Sequence, residues 1–336
     1  MGALKLRVEK VNLAFAAPFR IAGFVFDSQD VVFATLSDGT HQGRGEAAGV
    51  YYLKDDAAHI VSVIESVRAQ IEAGIDRAGL QALLPAGGAR NALDCALWEL
   101  EIRRTGKSVW ELAGLPAPKP LLTTFTLGAE TPAHMAEGAR RYTVARALKL
   151  KLTGDAALDL ERVEAVRAAR PDAWIGVDAN QGYGIEGLAA LIAGLLEQRV
   201  AQLEQPLKRG READLDGFDS PIPLIADESA LTTADVAALV GRFSMVNIKL
   251  DKCGGLTEGL AMAREARRLG LGVMVGNMVG TSLAMAPSFV IGQLCDVVDL
   301  DGPTFLKHDP PPTITYKDGM IFCDEAVWGS RGRQAA

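Results

Sequence analysis

The sequence predicts an α/β fold: a modified TIM barrel, (β/α)7β, with an N-terminal α+β capping domain completed by the C-terminal tail. Three observations predict it. After residue 121, short apolar runs alternate with amphipathic segments, the pattern of βα units around a parallel sheet. There are eight such runs, the number that closes a barrel. Before residue 121 the order differs, with strands first and helices after. We therefore expect a cap with substrate-specificity loops over residues 1–118, a catalytic barrel over 119–303, and a tail over 304–336 that returns to the cap.

In the cap, Leu4-Lys5-Leu6-Arg7-Val8 alternates in polarity, and Val31 to Leu36 leads into the hairpin turn signal Asp38-Gly39. Pro18 to Phe26, including Ala22 and Gly23, reads as an aromatic loop, and Tyr51-Tyr52 as part of a second. Gly43-Arg44-Gly45-Glu46-Ala47-Ala48 loosely resembles a dinucleotide fingerprint, but it ends a hairpin strand instead of joining a strand to a helix, so it is discounted. Residues 56–113 read as helices, from Ile60, Val61, Ile64 and Val67 and from Ala92, Leu93, Ala96, Leu97 and Leu100 at helical spacing.

In the barrel, the runs are Leu122–Leu127, Ala147–Leu152, Trp174–Asp178, Val200–Glu204, Pro223–Asp227, Met245–Lys249, Gly272–Val275 and Val297–Asp301. Leu271 to Cys295 carries no charge and is long enough to span a bilayer, but Gly276, Gly280 and Pro287 favour a buried strand, a glycine loop and a buried helix. Past Asp301, Pro310 to Pro312 and the hairpin signal Asp318-Gly319 mark a tail that leaves the barrel.

Composition excludes several classes. A net charge of −7 with no basic block argues against a nucleic-acid partner. The four cysteines lie far apart with no C-x-x-C, and the four histidines match no ligand spacing, so neither zinc nor a disulfide framework is indicated. The charged first residues do not form a signal peptide, and we expect a cytoplasmic protein with no membrane partner.

What ends each run carries the chemistry. The second holds Lys149 and Lys151, two residues apart and so on one face of a strand. The third ends in Asp178-Ala179-Asn180, the fourth in Glu204-Gln205-Pro206, the fifth in Asp227-Glu228 and the sixth in Lys249-Leu250-Asp251. Asn277-Met278 follows the seventh, and the eighth ends in Asp299-Leu300-Asp301. One acidic residue after a strand is ordinarily a helix cap or turn residue. Caps follow strands, however, whereas Lys151, Asp178, Glu204 and Lys249 end theirs, at the carboxyl rim where barrel enzymes build their sites.

Asp178, Glu204 and Asp227 come from successive strands and would converge. Three oxygen donors without His or Cys suit a hard cation, Mg2+, one per subunit. Lys151 and Lys249 come from the second and sixth of eight strands, on opposite sides of the ring. Two bases facing one carbon from opposite sides can remove a proton from one face and return it to the other, inverting the stereocentre. The enediolate formed next to a carboxylate needs positive charge at its oxygens. At an effective dielectric near 20, one pair of unit charges about 4 Å apart is worth about 4 kcal/mol. A divalent ion and two lysines are therefore of the right magnitude.

These residues resemble the enolase superfamily, muconate-lactonizing-enzyme subgroup. The likeness also covers Ala89 to Trp98, and Asn247 to Glu258 with Asp299 to Pro303 resembles the dipeptide epimerases of the L-Ala-D/L-Glu type. The resemblance implies that Asp299 and Asp301 hold the α-ammonium of a dipeptide, with Thr124 and Thr126 at the first strand's end and Asn277 and Met278 near the side-chain pocket. Lys149 joins the substrate-binding set, while Asn180, Glu228 and Asp251 support the metal and the lysines. Relatives of this kind often form homo-oligomers, though no interface signal stands out. One departure matters: the Ala-Glu epimerases carry an arginine in the first loop that recognises glutamate, and here Arg20 stands displaced toward the loop's start. Phe19, Phe24, Phe26, Tyr51 and Tyr52 instead make an apolar lid, so the expected dipeptide has an uncharged or hydrophobic second residue.

Three rivals use the same scaffold. An L-Ala-D/L-Glu epimerase proper would share every barrel residue. A muconate cycloisomerase or o-succinylbenzoate-synthase-type enzyme needs no ammonium receptor, which Asp299 and Asp301 argue against. A non-catalytic binding protein would not need both lysines and all three carboxylates.

Overall fold

The computed structural model describes residues 2–21 and 23–331; Ala22, within the first aromatic stretch, lies outside them. The cap opens with an antiparallel sheet, β1 (Lys5–Ile21), β2 (Phe24–Ser37) and β3 (Gln42–Ala47), in that order. The loop expected over 18–26 needs correction. Phe19, Arg20 and Ile21 pair with Phe26, Val25 and Phe24, so the strands continue through it and only a tight turn at Gly23 (φ 76°) remains. β-branched and aromatic residues favour the ladder, and a bulge between Ala14 and Phe19 absorbs the proline.

Five helices follow: α1 (Ala57–Ser66), α2 (Arg68–Glu72), α3 (Arg77–Leu83), α4 (Gly88–Thr105) and α5 (Val109–Ala113). Nearly all of α4 is buried, and it lies against β3. Gly43 and Gly45 permit that approach, since a Cβ there would stand 2.0 Å from the carbonyl oxygens of Ala96 and Ala92. The repeated glycines thus serve packing, consistent with discounting a nucleotide fingerprint.

The barrel strands are β5 (Thr124–Leu127), β6 (Ala147–Lys151), β7 (Trp174–Asp178), β8 (Gln202–Glu204), β9 (Leu224–Ala226), β10 (Met245–Ile248), β11 (Gly272–Val275) and β12 (Val297–Val298). They are parallel neighbours in sequence order, and their outward faces, Leu148, Leu150, Ile175, Val177, Leu203, Val246 and Ile248 among them, pack with the covering helices into the largest core. The helices between them are α6 (Pro132–Arg141), α7 (Ala156–Ala169), α8 (Ile185–Glu197), α9 (Thr233–Leu239), α10 (Leu250–Cys253), α11 (Leu256–Arg268) and α12 (Ser282–Gly292). Between β8 and β9 stands only a 3-10 turn, Glu212–Leu215, because Pro206, Gly210, Gly217, Pro221 and Pro223 leave no run for an α-helix. The uncharged stretch is strand, loop and helix, and no helix among the described residues is long and apolar enough to cross a membrane.

The last strand is shorter than expected, and no main-chain ladder joins it to β5. Side chains close that seam: Leu300 N donates to Thr123 Oγ1 (3.0 Å), Thr124 Oγ1 to Asp299 Oδ1 (2.5 Å) and Thr126 N to Asp301 Oδ2 (2.6 Å). The tail hairpin, β13 (Thr315–Lys317) and β14 (Met320–Phe322), turns at Asp318-Gly319 and pairs with β4 (Leu121–Leu122). The chain then meets the cap, where Trp328 Nε1 donates to Arg44 O and Gly329 N to buried Glu99, itself paired with Arg44.

Cap and barrel are pinned by polar bonds. Asp251, after β10, accepts from Ala48 N (2.9 Å) and Gly49 N (3.0 Å). Arg90 of α4 donates to Cys253 O (2.6 Å), and Asp94 accepts from Thr257 N and Oγ1. Glu46 of β3 accepts from Thr281 N (2.8 Å) and from the Thr281 hydroxyl. Burial raises the Glu46 carboxyl from 4.5 to about 7 despite those donors. Its folded value lies above its unfolded one, so its stabilisation is complete below the unfolded value and lost as pH rises through about 7. Glu46→Gln keeps the acceptor without the ionisation. Its stability relative to the parent should rise by about 2 kcal/mol between about pH 5 and about pH 8, read by urea denaturation at both.

Candidate functional site

Strand register builds the site. Lys151 stands level with Asp178 and Asp178 with Glu204 on adjacent strands. Glu204 is level with Ile225, so Asp227 lies one pleat further along on the same face. Ile225 is level with Met245, which brings Asn247 level with Asp227 and Lys249 one pleat beyond. The inward residues thus climb around the rim. Asn180, Gln181 and Gln205, just past β7 and β8, adopt left-handed φ of 43°, 66° and 34°. Such strain is concentrated at functional sites. Gln205 offsets it with four bonds, accepting from Asp227 N and Ser229 N and donating to Leu207 O and Ser229 Oγ.

Asp178, Glu204 and Asp227 are buried, and one oxygen from each lies within 4.8 Å of the others. Four lysines answer them. Lys151 Nζ is 2.6 Å from Asp178 Oδ2, and Lys249 Nζ is 2.6 Å from Asp227 Oδ2. Lys252 Nζ is 2.6 Å from Asp227 Oδ1. Lys149 Nζ lies 2.7 Å from Glu204 Oε2, 2.9 Å from Asp299 Oδ2 and 3.3 Å from Asp178 Oδ2. Lys149 is therefore buried among carboxylates, at 2 % exposure.

The protonation pattern follows. Burial alone would raise all three carboxyls. Lys151 and Lys149 overcome it at Asp178, holding it down at about 2, and Lys249 and Lys252 hold Asp227 well below its ordinary range. Glu204 goes the other way, to about 7, through burial and its Asp178 neighbour. Burial pulls Lys249 down, but the Asp227, Glu204 and Asp178 carboxylates together hold it above its ordinary value. Glu228 rises to about 8 through burial and Asp227.

Several buried atoms here have no hydrogen-bond partner: Glu204 Oε2, Glu228 Oε2, Asn180 Oδ1 and Asn247 Oδ1. Glu204 Oε2 makes no hydrogen bond of regular geometry, though the Lys149 ammonium stands 2.7 Å from it as an ion pair. Three converging buried carboxylates, with no nitrogen or sulfur donor among them, fit a hard divalent cation.

Lys151, Lys249, Asp227, Glu228, Asn180, Asn277 and Met278 line one cavity. Its outer wall is Phe15, Phe19, Ile21, Phe26, Tyr51 and Tyr52. Phe24 is half exposed, stacks on Phe26 and meets Tyr51 edge to face. Arg20 does not line the cavity; it pairs with Glu130 at 2.7 Å. Thr124 holds Asp299 and Thr126 holds Asp301, whose carboxyl burial and Asp299 raise to about 7. Asn277 donates to Asp299 O. Asp251 sits at the cap contact and not beside the three carboxylates. Sequence reasoning passed over Asn247, which donates to Glu204 Oε1 (2.7 Å), and Lys252. Asn247 lies on β10 two residues before Lys249, which follows the strand directly, so period two was the available signal.

Residues 133–325 match the enolase C-terminal domain-like model, and residues 3–114 the mandelate racemase/muconate lactonizing enzyme N-terminal domain. The chain belongs to the enolase superfamily. Within that superfamily it is 43% identical over 304 residues to the L-Ala-D/L-Glu epimerase of Escherichia coli (strain K12), covering 90% of this chain and 95% of the relative. It is 31% identical over 333 residues to the hydrophobic dipeptide epimerase of Roseobacter litoralis, covering 94% and 95%. The dipeptide epimerase of Methylococcus capsulatus, solved with Mg and the dipeptide L-Arg-D-Lys, superposes with a TM-score of 0.91 at 28% identity, covering 98% of this chain and 99% of that one.

Mg2+ or Mn2+ at about a hundredfold excess over its Kd should stabilise the fold by about 2.7 kcal/mol, a rise in Tm of several degrees that EDTA reverses. Asp178→Asn should remove most of that shift in differential scanning fluorimetry.

Proposed function

We propose that this chain is a Mg2+-dependent dipeptide epimerase, an isomerase that moves a proton from one face to the other at the α-carbon of the C-terminal residue. One observation carries the proposal. Lys151 and Lys249 line the same cavity from the second and sixth barrel strands, with the three carboxylate-bearing strands between them. Asp178, Glu204 and Asp227 would hold the cation, which when bound supplies positive charge to the substrate carboxylate and makes its α-proton more acidic.

The chain's own residues do the rest. One lysine amine takes the α-proton, and the opposed ammonium delivers its own to the other face. The pair ends with protonation exchanged and the carbon inverted. Asp299 and Asp301, backed by Thr124 and Thr126, receive the substrate ammonium; Lys149 neutralises the buried carboxylates beneath it. The apolar wall excludes water from the carbanion.

The same wall supports an uncharged or hydrophobic second residue. The cations lining it are the two acid/base lysines, and Arg20 is engaged with Glu130. The 43% identity to an L-Ala-D/L-Glu epimerase favours a second reading, in which the side chain is glutamate. The proposal includes a free small-molecule dipeptide, a cytoplasmic setting, no nucleic-acid or membrane partner, and a homo-oligomer as in related enzymes.

In deuterated water, a dipeptide library followed by mass spectrometry should show exchange at the second residue that EDTA abolishes. L-Ala-L-Leu or L-Ala-L-Phe should turn over faster than L-Ala-L-Glu; the reverse order favours the second reading. Lys151→Ala and Lys249→Ala should each lower epimerisation by at least about a thousandfold, each leaving exchange of one enantiomer only, visible by NMR.

A further inference from the structure

We infer that Lys252 is a positioning residue for the proton transfer at Lys249, acting through Asp227. The inference rests on the epimerase reading of the site.

Lys252 is fully buried. An ammonium has three hydrogens, and Lys252 Nζ meets three acceptors: Asp227 O at 2.5 Å, Asp227 Oδ1 at 2.6 Å and Asn247 O at 3.0 Å. None remains for a substrate, so Lys252 is not a third acid/base. Its effect is on orientation. A carboxylate turns about its Cβ–Cγ bond; holding Oδ1 stops that rotation and leaves Oδ2 toward Lys249, in the group whose carboxylates converge with Asp178 and Glu204. Released from Lys252, Asp227 could turn both oxygens on Lys249 and tie that lysine down. The grip also joins the ends of β9 and β10, because two of the three acceptors are main-chain carbonyls there.

Charge and position predict opposite signs for cation binding. Removing a cation 2.6 Å from a ligand oxygen would, by charge alone, tighten the binding of a divalent ion. Losing the oxygen's orientation weakens it, by tenfold or more where a partner of a metal-holding side chain is lost. Positioning also selects a face. Lys151 pairs with Asp178, on another strand, and does not share Asp227.

The test is Lys252→Met, which keeps length and removes the donors, with Lys252→Gln as a second variant that retains an amide donor. Calorimetric titration with Mn2+ alone should show about tenfold weaker binding for Lys252→Met and a smaller loss for Lys252→Gln. Solvent-deuterium exchange of the two dipeptide epimers, with faces assigned by Lys151→Ala and Lys249→Ala, should fall at least tenfold on the Lys249 face and less than threefold on the Lys151 face. Tighter or unchanged Mn2+ binding, equal loss on both faces, or failure of both variants to fold overturns the inference. If the unaltered enzyme exchanges neither epimer, the epimerase reading fails instead, and the Mn2+ titration still decides whether Lys252 orients Asp227.

Discussion

Three carboxylates stand at the centre of this molecule, closer than like charges tolerate, and four lysines make that arrangement possible. Buried charge is costly unless paired and hydrogen-bonded. The barrel meets that condition by drawing each carboxylate from the end of a different strand, so that strand register and not local sequence sets the distances. Glu204 is the least compensated of the three, because burial and the Asp178 carboxylate raise it to about 7 despite Lys149. That imbalance is the electrostatic mark of a place made for an additional positive charge.

The cap is held to the same centre. Asp251 and Arg90 tie it to the turn that follows β10, which carries Lys252, while Glu46 grips the loop before α12. The aromatic wall over the cavity therefore sits on a sheet whose attachments reach the catalytic rim. A change at the cap contact can be felt at the lysines through a few hydrogen bonds.

Much of this was legible in the sequence. The alternation of apolar runs and amphipathic segments located all eight barrel strands, since strand position depends on local pattern. Lys151, Asp178 and Glu204 end their strands as read, and Asp227 and Lys249 stand one residue beyond theirs. What escaped depends on partners far away in the chain. Nothing local says that Pro18 to Phe26 stays in a ladder, that β8 and β9 are joined without an α-helix, or that Lys149 is claimed by Asp299, 150 residues on. Lys252 lies in the stretch that resembles the family, but no role for it can be read there, because its three acceptors are brought together only by the fold.

The seam between β12 and β5 has a consequence for how such a protein diversifies. Asp299 and Asp301 are the stitches across an edge with no ladder of its own. If they receive the substrate ammonium, as proposed, replacing them to admit a different N-terminal group would loosen the cylinder as well as that grip. The aromatic hairpin carries no such double duty, so new preferences are cheaper to acquire there, and drift in selectivity should run through the lid and leave the rim unaltered.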